Sequence, residues 1–216
     1  MRYLVHLRLA AVASVALAAA CGEPTTAPAT SRMPKGAPSL DVIVDAMSVD
    51  STAADFTVTP SGGLFTMGPH AVFFPANSIC DPATSSYGPD QWDAPCEPAA
   101  EPVQIHAEVR RAPDGSEYVD FTPNLRFAPT EDSNNYVWIL MKVAAAQNTA
   151  DPSRFPILYA PHLGAEGIDE AASDPTQVTY VHVPSGVVFR RIKHFSGYAV
   201  DVSRFSFESE DVIALW

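Results

Sequence analysis

The chain has 216 residues, with 13 Lys and Arg against 25 Asp and Glu, a formal net charge of −12. A surface of that sign repels phosphate backbones and anionic head groups, which excludes nucleic acid as an expected partner. Twenty prolines, nearly twice the usual share of about 5%, fit a loop-rich β protein.

Arg2 and Arg8 are the charges that precede an apolar run of Ala, Val, Leu and one Ser at 9–20. The run falls short of the roughly 20 apolar residues of a membrane span. It predicts a secretory signal over residues 1–20. Ala18, Ala19 and Ala20 then lead into Cys21 and Gly22, a junction that resembles the lipobox of bacterial lipoproteins, with Leu17 one place earlier than that pattern prefers. The resemblance implies that Cys21 becomes the lipidated first residue, so that the membrane is a partner through its acyl chains. The protein is then exported and anchored in the cell envelope, on a periplasmic or cell-surface face. Loss of the signal leaves 11 basic against 25 acidic side chains, a charge of −14.

Residues 21–39, rich in Pro, Thr and Ala, form the lipidated Cys and a tether with nothing to bury. In polyproline form it would reach up to about 50 Å. From residue 40 to 216 the periodicity is that of strands, with no apolar helical pattern over the 10 to 12 residues or so that a helix needs. Strands are expected at 42–49, 56–59, 64–67, 72–74, 103–110, 118–121, 125–127, 136–143, 157–159, 178–183, 187–192 and 198–202. The strand at 103–110 alternates apolar and polar side chains, the mark of a sheet with one wet face. That at 136–143 is apolar on both faces and reads as central. Short strands between Pro, Gly, Asn and Asp turns predict an all-β antiparallel sandwich.

With Cys21 assigned to the lipid, Cys80 and Cys96 remain, flanking a loop with Pro82, Gly88, Pro89 and Pro95. In an oxidising compartment they are expected to form a disulfide, which would stabilise the fold by about 3 kcal/mol in the chain-entropy model. The tight spacing of a two-Cys zinc site is missing.

No nucleophile elbow, phosphate-cradling Gly loop, His-Glu-x-x-His or Cys-x-x-Cys occurs. No cofactor is implied. His70, His106, His162, His182 and His194 stand far apart and none has a partner at ligand spacing, so no metal site is expected. The acidic run Glu166, Asp169, Glu170 and Asp174 lacks the positional pattern of a calcium loop and reads as a solvated loop.

Two segments carry a family resemblance. Gly62-Gly63-Leu64-Phe65, Gly68 and the run from Ala71 through Phe74, Pro75, Ala76 and Asn77 to Ile79 look like the opening of the ZU-five domain of zonula occludens proteins, netrin receptors and ankyrins. The closing run from His194 to Val200 resembles that domain's last segment. The resemblance spans a core of about 57–202 from both ends, matches only as strands in the middle, and implies a ZU-five-like β-sandwich. Physically, the Gly pair permits a turn closed to other residues and Pro75 is expected to end an edge strand.

Some proteins with this domain cut themselves between Phe and Ser of a His-Phe-Ser tripeptide, which here is His194-Phe195-Ser196. The resemblance implies attack of Ser196 Oγ on the Phe195 carbonyl, with His194 as the candidate base and Gly197 allowing an unusual backbone angle beyond the cut. The bland reading has Phe195 plug the core while His194 and Ser196 share the opposite face.

The function expected on balance is a non-catalytic binding or scaffold module, displayed on its tether. Tyr87 and Trp92 in the disulfide loop, or Trp216, would be its exposed aromatics, meeting an envelope protein or glycan. Self-cleavage between Phe195 and Ser196 is the alternative.

Overall fold

The structure, a computed structural model, describes residues 34–40, 43, 44, 47, 52–111 and 116–201. The expectations for the signal at 1–20, for Cys21, for the tether before residue 34 and for Trp216 lie outside the described residues. Ten strands form the framework: β1 (Ala53–Val58), β2 (Gly63–Met67), β3 (His70–Phe74), β4 (Val103–Arg111), β5 (Glu117–Thr122), β6 (Val137–Lys142), β7 (Ile157–Ala160), β8 (Tyr180–His182), β9 (Val187–Ile192) and β10 (Gly197–Val200). They pair antiparallel into two five-stranded sheets, one ordered β1-β4-β5-β10-β7 and the other β2-β3-β6-β9-β8. The protein is all-β, as its periodicity predicts.

Alternation of side chains along each strand explains which face is dry. On β4, Ile105 and Ala107 are buried whereas Gln104 and His106 are exposed. On β6, at the centre of its sheet, both faces are covered. Val137, Ile139 and Met141 enter the main core between the sheets, and Trp138 and Leu140 enter a second apolar cluster with Leu40, Ile43, Ala71, Val187 and Phe189. That second cluster corrects the strand expected at 42–49. Leu40, Ile43 and Val44 are helical, and the Met47 amide donates to the Ile43 carbonyl at 3.1 Å. The apolar residues Leu40, Ile43, Val44 and Met47 follow the i, i+3, i+4, i+7 spacing of one helical face over a span shorter than the threshold used to recognise a helix. Leu40 and Ile43 cover the outer face of the second sheet at Trp138, Leu140, Val187 and Phe189, which is why β6 is apolar on both faces.

Two smaller expectations are also corrected. Residues 125–127 are not a strand but a stretch of isolated bridges, Ile79 with Phe127 and Arg126 with His194. β3, which Pro75 follows, is paired on both sides by β2 and β6 and is not an edge strand. The Gly pair behaves as expected: Gly62 has φ +71°, and a Cβ there would stand 2.1 Å from the Phe74 carbonyl oxygen.

β9 belongs to one sheet and β10 to the other, so residues 193–196 form the crossover between them. Backbone bonds fix this corner, from the Phe195 amide to the Leu125 carbonyl at 2.6 Å and from the Phe127 amide to the Lys193 carbonyl at 2.9 Å. Phe195, with no exposed surface, is the corner's anchor in the main core. Its ring stacks on Phe121 at 4.0 Å and meets Phe127 and Phe74 edge-on. Burial of such a side chain contributes about 2 kcal/mol.

Candidate functional site

On the other side of the crossover from Phe195, the backbone carries His194 and Ser196, two residues apart and so on one face of extended chain. His194 is fully buried and Ser196 is 7% exposed. The Ser196 Oγ lies 3.4 Å from His194 Nδ1. The other ring nitrogen, Nε2, lies 2.8 Å from Glu170 Oε1. Glu170 in turn binds the guanidinium of Arg190 through Oε2. Arg190, fully buried on β9, also donates to the Ile157 carbonyl at 2.7 Å and to Gln177 Oε1 at 3.2 Å.

The direction of each bond follows from the groups. A carboxylate only accepts, so Nε2 carries the hydrogen toward Glu170 and Nδ1 is left as the accepting nitrogen. Burial tends to raise the Glu170 carboxyl, but the hydrogen bond from His194 and the charge and hydrogen bond of Arg190 outweigh it and hold the group below its usual range. Glu170 is therefore an anion that orients the imidazole. The chain Ser196, His194, Glu170 has the logic of a hydrolase triad with the two ring nitrogens exchanged, a consequence of base and nucleophile being neighbours on one strand.

A fourth group comes from the loop closed by the Cys80–Cys96 disulfide, whose Cα atoms are 5.6 Å apart. Tyr87 donates its hydroxyl to the Phe195 carbonyl oxygen at 2.5 Å and lies 3.5 Å from His194 Nδ1. Since its single hydrogen goes to that carbonyl, the hydrogen facing Nδ1 is that of Ser196. Trp92 lies flat on the His194 ring, centroids 3.6 Å apart and planes 16° apart, and Tyr159 meets the same ring edge-on at 5.0 Å. The Tyr198 hydroxyl donates to the His194 carbonyl at 2.7 Å.

The sequence singled out His194, Phe195, Ser196 and Gly197, and the structure brings them together with Tyr87 and Trp92. Several roles change. Trp92, expected as an exposed recognition side chain, is 8% exposed because it covers the imidazole. Tyr87 is 38% exposed, but its hydroxyl is engaged within the molecule. Gly197, expected to supply an unusual angle, has no positive φ. It is required for space, since a Cβ there would stand 1.7 Å from the Tyr118 hydroxyl. Glu170, read as part of a solvated acidic loop, has a largely buried side chain. Its neighbours in that run are structural: Asp169 and Asp174 accept from the amides of Ala171 and Thr176, and Asp174 pairs with Lys193 at 2.7 Å.

Glu170, Arg190 and the position of Tyr87 on the Phe195 carbonyl were not legible in the sequence. Glu170 lies 24 residues from His194 in a loop without periodicity, and Tyr87 lies 108 residues from Phe195. Among the described residues no group of three or more His, Cys, Asp and Glu could hold a metal ion, and no helix is long and apolar enough to cross a membrane. No family model matches the chain, and neither a curated protein nor a solved structure shows significant similarity to it.

Proposed function

We propose that the domain cuts its own chain between Phe195 and Ser196. The observation that carries this reading is a single continuous arrangement. A serine hydroxyl stands on an imidazole that a buried carboxylate orients, and the peptide carbonyl immediately preceding that serine already receives a phenolic hydrogen bond. A merely packed His-Phe-Ser corner has no need of a serine hydroxyl on that imidazole together with a donor on the one carbonyl that precedes the serine.

The chemistry is an acyl shift followed by hydrolysis. Ser196 Oγ bonds to the Phe195 carbonyl carbon, and its proton passes to His194 Nδ1. The tetrahedral centre collapses with cleavage of the bond to the Ser196 nitrogen, which takes that proton from His194 and becomes an amine. Phe195 is then held as an ester on Ser196 Oγ. Water adds to the ester carbonyl, leaving a carboxylate on Phe195 and a free hydroxyl on Ser196. The new fragment begins at Ser196 and contains β10, which is hydrogen-bonded between β5 and β7 with Tyr198 and Val200 buried. It stays in place as a non-covalent strand, so the product is a nicked sandwich. In the wider reading of the chain this happens in an exported protein anchored through lipid on Cys21, and the ZU-five-like ends of the domain agree with such a reaction.

The binding-module reading is the weaker one, because Trp92, its main exposed aromatic, is committed to covering His194. The test is intact mass of the denatured full-length chain beside Ser196→Ala. Wild type is expected as two fragments whose masses sum to the uncut chain plus one water, and the variant as one species. A single uncut species in both would end the proposal.

A further inference from the structure

We propose that Tyr87 is the oxyanion donor of this cut and that the Cys80–Cys96 disulfide holds it in place, so that oxidation of the loop sets when the chain is cut. The inference rests on the self-cleavage reading and deepens it.

Attack by Ser196 Oγ turns the Phe195 carbonyl oxygen into an oxyanion, and the barrier falls most when a donor is already aimed at that oxygen. Tyr87 is so aimed, at 2.5 Å. Burial pushes its phenol up to about 12, against the opposing effect of the Ser196 hydroxyl, so it keeps its hydrogen throughout the neutral range. The carbonyl it meets cannot swing away. The Phe195 amide is bound to Leu125 and the His194 carbonyl to Tyr198, which fixes the adjoining peptide.

The loop that carries Tyr87 has two halves held in different ways. The half next to Cys96 is tied to the body of the protein, since Arg126 donates to the carbonyls of Gln91, Ala94 and Pro95 and Lys193 pairs with Asp93. The half next to Cys80 is a turn folded on itself, the amides of Ala83, Thr84 and Ser85 all returning to Asp81. Tyr87 meets the corner through its hydroxyl and through its ring, which stands edge-on to Trp92 at 5.3 Å and to His194 at 6.2 Å. The root of the turn is held by the Cys80 amide on the Arg126 carbonyl at 3.0 Å and the Asp81 amide on the Glu97 carbonyl at 2.8 Å, and the disulfide adds a covalent tie between that root and the anchored half. Without it, backbone hydrogen bonds alone close the loop that carries Tyr87, and a displacement of about 1 Å at a reacting group can cost roughly 10²-fold in rate. The oxidation itself removes two electrons and two protons from the Cys80 and Cys96 thiols, taken up by a disulfide donor that is reduced to two thiols.

The experiment follows the fraction of chain cut against time. Full-length wild type, Tyr87→Phe, Ser196→Ala and the Cys80→Ser, Cys96→Ser double variant are made by cell-free synthesis under dithiothreitol. Each is then moved into buffer with or without glutathione disulfide. The expected result is that oxidised wild type is cut, that Tyr87→Phe is slowed about 10²-fold or more, and that reduced wild type and the double variant are both slowed at least about tenfold. Thermal melts in a Ser196→Ala background separate a lost donor from a lost fold, because Tyr87→Phe is expected to move the rate without moving the melt. Should Tyr87→Phe be cut at the wild-type rate, or reduced wild type be cut as fast as oxidised, the inference falls while self-cleavage stands. If oxidised wild type yields no fragments, the reading beneath it has failed as well.

Discussion

Two regions of the molecule hold nearly the same three side chains. At one end of the sandwich, His70 is fully buried with Nε2 3.0 Å from Glu117 Oε2, and Arg111 binds the same carboxylate at 2.7 Å. At the crossover, His194 is equally buried, with Glu170 on Nε2 and Arg190 behind the carboxylate. The difference lies on the other ring nitrogen. His70 Nδ1 accepts the Lys142 backbone amide at 3.2 Å and is fully used by the sheet. His194 Nδ1 faces a serine hydroxyl at 3.4 Å, beside a peptide carbonyl that has a donor of its own. The alignment differs too, since His70 approaches Glu117 at ion-pair distance without hydrogen-bond geometry. A buried His-Glu-Arg cluster is thus a structural bolt at His70 and, in the proposed reading, a general base at His194, according to what its last nitrogen meets.

The largest effect should come from removing the carboxylate at each place. Glu170→Gln replaces a carboxylate that can only accept with an amide that can also donate to Nε2, which no longer holds His194 in the proposed reactive tautomer, and is expected to slow the proposed cut by about 10²- to 10⁴-fold. Glu117→Gln, with the same chemistry lost 53 positions earlier, should leave the rate within about twofold, because its histidine touches no reacting atom. Rates of both variants in oxidised, freshly made chain decide the matter, and equal slowing would dissolve the comparison.

Stability should rank next and in the same order. Glu170→Gln leaves the guanidinium of Arg190 buried beside a group with no charge, at a cost of about 3–5 kcal/mol. Arg111 is largely exposed, with a side-chain accessibility of 71%, so Glu117→Gln lets it return to water and should cost about 1–2 kcal/mol. Denaturant unfolding in a Ser196→Ala background would measure both without interference from cleavage.

The smallest effect is the dependence on acid. The close approach of His70 comes first among the causes that hold Glu117 down at about 2 from an ordinary 4.5, against the opposing effect of burial and with help from Arg111. Glu170 is also lowered. Both carboxyls bind protons more weakly in the folded than in the unfolded chain, so their stabilisation is complete above about pH 4.5 and is lost at lower pH, for Glu117 as the pH falls toward about 2. The wild-type melting temperature should drop across that window. Glu117→Gln should flatten the drop, and an unchanged slope in the variant would show that Glu117 is not bound as the structure has it.

How much of this was legible beforehand varied with the kind of contact. The two-faced apolar pattern of 136–143 predicted a central strand, and β6 is the middle of its sheet. The same pattern implied a cover for the outer face, yet the cover at 40–47 was read as one more strand because only about two turns of helical spacing are present. The disulfide followed from the even pair of cysteines left after Cys21, and it is present. The loop's aromatics were assigned the wrong direction: composition marks Trp92 as a large side chain in a turn-rich loop, and nothing local says whether it faces solvent or the imidazole of His194.

What the sequence by itself determined is what depends on near neighbours. Alternation set the strands, and the two-residue spacing of His194 and Ser196 set their side chains on one face, with Phe195 turned into the core between them. What only the tertiary structure decided is everything supplied from a distance. Glu170 and Tyr87 reach the corner from loops 24 and 108 residues away in the chain. Loops have no period from which to read direction, and their side chains are aimed by the packing of Arg190, Arg126 and the disulfide, groups that meet only when the two sheets close on each other.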